Sequence, residues 1–292
     1  TGWYTLSLHD ALPIFDAVVP VQDRVTQLAA VGLERMPITD HDVISVLDPY
    51  VDEVGVREYI TLIAGNEVSP IAAHSNGFPI TPRPDRDTYF GVQWFGDYDS
   101  TGCGLENNPQ YPAIWQQMRE VYESRIIQIN HPRSGSQGFF NTFHYDPIVG
   151  VDSFEEGEFD LNWDAMELIN ANDVGDALNY SLADWFSFFN QGAHKAGTAV
   201  SDCHNDSCPG DARSFIRTGE DDPSLVTEDM FVDAIKNLRV QAASGPFVTM
   251  NVGDAEIGDT ADLGGDGSIE LHVKVQAPTW MPVDWIRVVV NG

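Results

Sequence analysis

Ile126-Ile127-Gln128-Ile129-Asn130-His131-Pro132 is the stretch on which the reading of this chain turns. A short isoleucine-rich run that stops at Asn, His and Pro has the length and composition of a buried strand, and its carboxyl end presents an imidazole. Just ahead of it, Tyr111 to Tyr122 carries Ile114, Met118 and Val121 on one helical face. A helix, then a short apolar strand, then a polar residue at the strand end is a β/α signature. Such folds place their chemistry at strand C-termini.

The unit repeats outward in both directions. Asp23 to Leu33 has helical spacing, with Val25, Leu28, Ala29 and Leu33 on one face. Met36 to Ile38 reads as a strand ending at Thr39-Asp40-His41, Ile60 to Ala64 as one ending at Gly65-Asn66-Glu67, and Ile71 to His74 as a third. Downstream, Ala165 to Leu168 predicts a strand, Leu178 to Phe189 an aromatic-rich helix, and Thr198 to Val200 a strand leading into Ser201-Asp202. Glu228 to Leu238 is the last predicted helix. Gly77 to Pro112, rich in Pro, Gly, Asp and aromatics, reads as a long ordered loop over the site. From about residue 246 the texture changes to alternation: Phe247 and Thr249, then Ile269, Leu271, Val273 and Val275, then Trp285 to Val290. That predicts a small all-β module over 246–292. It stops at Asn291-Gly292, a hairpin-turn dipeptide directly after a strand, so the module is expected to be truncated.

Composition narrows the function classes. The chain has 292 residues, enough for one large domain and a small one. With 45 acidic and 15 basic residues its formal charge is −30, a surface that repels nucleic acid and anionic lipid. No run of apolar residues is long enough to span a membrane. Cys103, Cys203 and Cys208 form neither a zinc knuckle nor a disulfide framework and are read as free thiols, although Cys203 and Cys208 are near enough in sequence to pair. The acidity suits a salt-adapted or extracellular protein, which favours a secreted or periplasmic setting.

Six residues at or near the ends of these apolar runs are candidate metal ligands: His41, Glu67, His74, His131, Asp202 and His204. Each has a bland reading by itself. His41 could neighbour a helix cap, His131 could sit in a turn, Glu67 on the surface, and Asp202 and His204 in a solvated loop. Together they predict a site for divalent metal, and imidazole nitrogens with carboxylate oxygens suit Zn, Mn or Fe without choosing among them. Asp40 precedes His41 and points elsewhere on an extended segment, as a structural cap or a group handling protons behind the ligands. Arg133 and Arg213 could clamp a phosphate or carboxylate oxygen, or sit in salt bridges.

The segments GLERMPITDHD (32–42), IAGNEVSP (63–70), HSN (74–76), IIQINHPRSG (126–135), FDLNWDAMELIN (159–170), LADWFSFFNQG (182–192) and AVSDCHNDSCPGDARSFI (199–216) resemble the polymerase and histidinol phosphatase (PHP) superfamily of metal-dependent phosphoesterases. Their closest likeness is its carbaryl-hydrolase branch. The resemblance implies a distorted (β/α)₇ barrel over residues 15–245, with two or three divalent ions at its C-terminal face. On that pattern Glu67 and Asp202 are shared carboxylates near a first ion, Glu67 bridges to a second held by His74 and His131, and His41 and His204 hold a third. The implied activity is hydrolysis of a small-molecule phosphoester, or of a carbamate or ester, by a metal-activated hydroxide. Asp202 would orient that hydroxide or take its proton, while His204 or Arg133 helps the leaving group. No Gly-x-Ser-x-Gly, Walker or dinucleotide motif offers another chemistry. The loop aromatics Tyr89, Phe90, Trp94, Phe95 and Tyr98 favour a bulky organic group, unless they only pack the loop. A competing reading is a non-catalytic, cation-dependent binding protein acting through the β module.

One departure from the family stands out. Its opening His-x-His motif occurs nowhere in the chain. Residues 5–14, TLSLHDALPI, read instead as one frame of a common sequencing adapter. Residues 1–14 are therefore expected to be an artefact that is poorly ordered or packs without supplying ligands, His9 included. The barrel is expected to be N-terminally truncated, and this chain impaired relative to an intact parent.

Overall fold

Val25 and Leu28, one helical turn apart, turn the same face of α1 (Val21–Ala30) into the core. The computed structural model describes residues 3–6, 19–70, 73–83, 91–92, 94, 111–135, 138–171, 173–205, 209–262, 264–265 and 267–292. In chain order the strands are β1 (Trp3–Leu6), β2 (Arg35–Ile38), β3 (Thr61–Ala64), β4 (Asn66–Val68), β5 (Ser75–Phe78), β6 (Ile126–Ile129), β7 (Ala165–Asn170) and β8 (Ala196–Val200). They continue with β9 (Arg213–Arg217), β10 (Val240–Ala243), β11 (Phe247–Val252), β12 (Ala255–Glu256) and β13 (His272–Gln276). The helices after α1 are α2 (Pro49–Val54), α3 (Tyr111–Glu120), α4 (Phe139–Thr142), α5 (Val174–Asp176), α6 (Leu182–Asn190) and α7 (Glu228–Lys236). The predicted helix over 178–189 is realised as α6 entered through a π-helical turn, Ala177–Ser181.

The central sheet runs β4-β5-β6-β7-β8. Its β6, β7 and β8 are parallel, and β6, β8 and the first half of β7 are buried, as their apolar runs require. A second sheet pairs β2 with β3 in parallel. It is tied to the first where His41 bridges Glu67, through Asp42 N–H to Glu67 O (2.8 Å) and Glu67 N–H to Asp40 O (3.1 Å). The result is a mixed α/β fold with a partly formed sheet core that resembles a distorted barrel. A closed seven-stranded barrel is not seen among the described residues.

Several expectations need correction. Of the strand expected over Ile71 to His74, residues 71 and 72 lie outside the described residues, while Ala73 turns the chain at a positive φ of 64° and the strand β5 begins at Ser75. β5 then pairs antiparallel with both β4 and β6, interrupting the strict β/α alternation that the apolar pattern implied. β9 and β10 were not foreseen, and with β1 they form an antiparallel sheet. β1 lies within the adapter-like segment and pairs Trp3–Leu6 along β9, but those four residues include no imidazole or carboxylate. His9 lies outside the described residues.

β11, β12 and β13 form the expected small sheet, whereas Trp285 to Val290 forms no strand. Alternation needs a partner edge to become a ladder, and Trp285, Ile286, Val288 and Val290 remain exposed instead. Cys203 is disulfide-bonded rather than free, and both possible partners, Cys103 and Cys208, lie outside the described residues.

Aromatic packing steadies one flank of the central sheet. Tyr111 and Trp115 of α3 pack on Phe139, Phe143 and Phe159, and Phe188 of α6 stacks on Tyr145 at 4.7 Å between ring centroids. This cluster fixes α4 and the loop after β6, the segment that carries His131 and Arg133.

Candidate metal centre

The candidate ligands stand within a strand or in the segments that flank strands. Glu67 occupies the middle of β4, His41 follows β2, His74 precedes β5, His131 follows β6, and Asp202 and His204 follow β8. His131 and Asp202 adopt left-handed backbone angles, φ 24° and 47°, a conformation that costs a non-glycine residue and is often found at functional sites. Gly65 is needed for a different reason. A Cβ there would lie 2.7 Å from Thr39 Cγ2 and 2.9 Å from Ile38 O, so the close approach of β2 and β4 that joins His41 to Glu67 depends on having no side chain.

The Glu67 side chain is fully buried among imidazoles. Oε1 lies 3.0 Å from His74 Nδ1 and 3.6 Å from His131 Nε2, and Oε2 lies 3.1 Å from His41 Nδ1. Asn130 Nδ2 donates to Oε1 at 2.9 Å. His41, Glu67 and His74 each offer a ligand atom within 4.8 Å of the others, a triad able to hold an ion. On the far side of His41, His204 Nε2 comes within 3.4 Å of His41 Nε2. His41, His74, His131, Asp202 and His204 line one cavity of about 210 Å³, with Ser134 and Asn170 completing its wall. The structure therefore brings the six predicted ligands to one place, five of them, Asp202 included, lining the cavity beside Glu67.

Tautomers show what this arrangement lacks in protein alone. His74 Nε2 meets the Pro70 carbonyl at 3.0 Å, which only accepts, so Nε2 carries a proton; in a neutral ring Nδ1 then turns a lone pair toward the Glu67 carboxylate. His204 Nδ1 likewise donates to Asp202 O at 3.0 Å. His41 Nδ1 faces Ser69 Oγ at 2.5 Å as well as Glu67. Both of these rings then present Nε2 lone pairs to each other. Acceptor facing acceptor at two points calls for protons or cations between them. Two Zn–N bonds of about 2.0–2.1 Å at a tetrahedral angle span roughly 3.3 Å, close to the 3.4 Å separating these nitrogens. The donor set fits divalent metal. Burial opposes charging of His131, but Glu67, Glu167 and Asp202 together outweigh it and raise its pKa.

Two residues that sequence reasoning missed hold this geometry. Glu167 of β7, 1% exposed, accepts the His131 backbone N–H (2.5 Å), Asn170 Nδ2 (3.1 Å) and Gln128 Nε2 (3.3 Å). Asn170 Nδ2 also donates to Asp202 Oδ2 at 3.1 Å, so one buried carboxylate ties together two strand ends. The signal was present as a lone acid inside the apolar run Ala165 to Asn170. Arg24 of α1 is fully buried and donates to the carbonyls of Cys203 (3.3 Å) and Asn205 (2.8 Å), clasping the loop that bears His204. Glu167→Gln should weaken divalent-ion affinity about 10–100-fold, the usual effect of removing a group behind metal ligands. Calorimetric titration of metal into the variant checks this, and wild-type affinity would remove Glu167 from the site.

The remaining candidates are engaged elsewhere. Asp40 is buried and accepts a short hydrogen bond from Ser45 Oγ. Arg133 gives Nε and Nη2 to Asp184 at 2.7 and 2.5 Å and Nη2 to Tyr145 O at 2.9 Å. To clamp an oxyanion it would have to leave that pairing. Arg213 is spent on the carbonyls of Gly210 and Val31. Of the loop aromatics only Trp94 lies among the described residues, and its indole donates to Asp42 Oδ1 at 2.8 Å. Burial raises the pKa of that Asp42 carboxyl.

No protein family and no curated protein matches the sequence. Among solved structures, a two-domain protein from Bacteroides vulgatus, described as containing a predicted PHP-like metal-dependent phosphoesterase, is similar at 16% identity and a TM-score of 0.51 over 82% of this chain. The chain spans 64% of that protein's length. PsfC from Pseudomonas syringae aligns at 13% identity and a TM-score of 0.49, covering 83% of this chain and 92% of PsfC. An amidohydrolase from Chromobacterium violaceum aligns at 13% and 0.38, covering 69% and 88%. The fold is thus similar to that of the Bacteroides vulgatus protein, and it carries a His41/Glu67/His74 triad able to hold a metal ion. No helix among the described residues is long and apolar enough to cross a membrane.

Proposed function

We propose that this chain is a metal-dependent hydrolase of a small-molecule phosphoester, or of a carbamate or ester, as in the carbaryl-hydrolase branch that its motifs resemble. The observation that supports it most is the convergence of His74 Nδ1, His131 Nε2 and His41 Nδ1 on the two oxygens of one buried carboxylate, Glu67. Glu67, His74 and His131 would hold one divalent ion and His41 with His204 another, with Asp202 on the cavity wall as the candidate for a third position. Bound ions would supply Lewis acidity, making water acidic enough to act near neutral pH and offsetting charge on the oxygen that gains it.

The chain's own groups do the rest. Asp202, oriented by Asn170, takes the proton that the attacking water loses. His204, 31% exposed at its side chain, is placed to return a proton to the leaving group. Asp40, behind the ligands, steadies the β2 end through Ser45 and the Glu67 N–H. Residues 15–245 would carry this chemistry, with 246–292 as a separate β-rich module.

Protein stripped with a chelator and reloaded with Zn²⁺, Mn²⁺ or Fe²⁺ should be assayed on nitrophenyl phosphate, its diester, a nitrophenyl ester and an aryl carbamate. Turnover should vanish on stripping and return with metal. Equal turnover by the stripped protein, or none on any substrate with metal bound, would end this reading.

A further inference from the structure

A larger cleft opens on the other side of His131. It encloses about 440 Å³, within the range of small-molecule sites, and shares His131, Ser134 and Asn170 with the metal cavity. A group bonded to an atom held at the metal centre would have room to extend into it. His131 is 9% exposed and stands on both walls, and its Nδ1 is buried with no hydrogen-bond partner among the described residues. The wall therefore keeps an unspent polar atom at the junction.

The charge of this cleft is one-sided. Glu167, Asp173 and Asp176 line it, and Arg133 is its one guanidinium or ammonium group among the described residues. That cation is already neutralised by the two oxygens of Asp184. No cationic side chain among the described residues pairs with Asp173 or Asp176, whose mutual contact is a cap in which Asp176 N–H donates to Asp173 Oδ1 at 2.8 Å. Ser134, Asn170 and Ser181 add hydroxyl and amide groups. An anionic group entering here meets three carboxylates, while Arg133 is held by Asp184 and the His131 ring faces Glu67, whereas an ammonium group finds charge and acceptors together.

Resting on the hydrolase reading above, we propose that this cleft is the leaving-group pocket and that it selects ammonium-bearing leaving groups over anionic ones. Like-charge juxtaposition excludes the wrong partner as effectively as attraction recruits the right one. The metal centre holds the reacting group whatever its substituent, so the cleft would determine which substituent follows.

The test compares phosphocholine, glycerol 2-phosphate and 3-phosphoglycerate as substrates of the metal-loaded protein. Their leaving groups are cationic, neutral and anionic in turn. Phosphocholine should exceed 3-phosphoglycerate in kcat/KM by about tenfold or more. Asp176→Asn should shrink that ratio about fivefold, the scale of one partly solvated charge a few ångströms away, and Asp176→Lys should shrink it further. Glycerol 2-phosphate, whose leaving group carries no charge, should change in kcat/KM less than either charged substrate when Asp176 is replaced. Equal rates on the charged pair, or a ratio indifferent to Asp176, would overturn the assignment. Should none of the three be hydrolysed, calorimetric titration of choline and of lactate into the metal-free protein reads the same preference without turnover. Choline binding that weakens in Asp176→Asn supports the pocket even if the hydrolase reading fails. Binding that does not discriminate rejects it.

Discussion

Glu67→Gln is expected to abolish tight divalent-ion binding and to lower metal-dependent hydrolysis by about 10³-fold or more, because Lewis-acid stabilisation worth several kcal/mol depends on the ion being present. The metal-free protein should remain folded. Glutamine matches the shape of Glu67, and its amide oxygen in the Oε1 position still accepts from Asn130 Nδ2, as the carboxylate does at 2.9 Å. Glu67 is a carboxylate with no exposed surface, and replacing its charge with a neutral amide removes the desolvation cost, so the variant's thermal midpoint without metal should equal or exceed wild type. Addition of metal should raise the midpoint of wild type but not of the variant. A variant that binds metal normally would show that the imidazoles are a hydrogen-bonded core cluster and nothing more. Titration calorimetry and paired thermal melts give both readouts.

Arg133→Ala is expected to cost about 3–5 kcal/mol of stability, the penalty for stranding a buried charge, and to lower the thermal midpoint by roughly 10 °C. Asp184 is 1% exposed and has both carboxylate oxygens on Arg133. Burial raises its pKa even against that guanidinium. A carboxyl whose folded pKa is raised binds more protons folded than unfolded, so stability falls as pH climbs from the unfolded value through the folded one. The loss in Arg133→Ala should therefore deepen with rising pH across that window, and Asp184→Leu combined with Arg133→Met should recover much of it. Chemical denaturation at several pH values measures this. If instead kcat/KM collapses while stability holds, Arg133 clamps substrate, the role its place beside His131 allowed on sequence grounds.

Strand ends and ligand types were legible because both depend on local order. Short apolar runs closed by polar residues mark buried parallel strands, and β6, β7 and β8 appear where those runs stand. The β5 register was not legible. Ile71 to His74 has the right composition for a strand, but the positive φ at Ala73 and pairing to β4 and β6 move the strand one residue past the histidine. That shift leaves His74 at a strand start, where its two ring nitrogens reach Glu67 and Pro70.

From its sequence alone the chain declares a β/α arrangement, an acidic surface and six metal-type side chains, all properties of residue order and composition. Tertiary structure alone decides their grouping. It joins His41 to Glu67 across two sheets, brings His204 to His41 from 163 residues away, and spends Arg133 on a carboxylate 51 residues distant. Glu167 belongs to the same category, since an acid within an apolar strand acquires a role only when His131 and Asn170 arrive to donate to it. The physical reason is common to all of them. A hydrogen bond or shared ligand point is fixed to a few tenths of an ångström by packing from distant segments, and spacing along the chain carries no information about that distance.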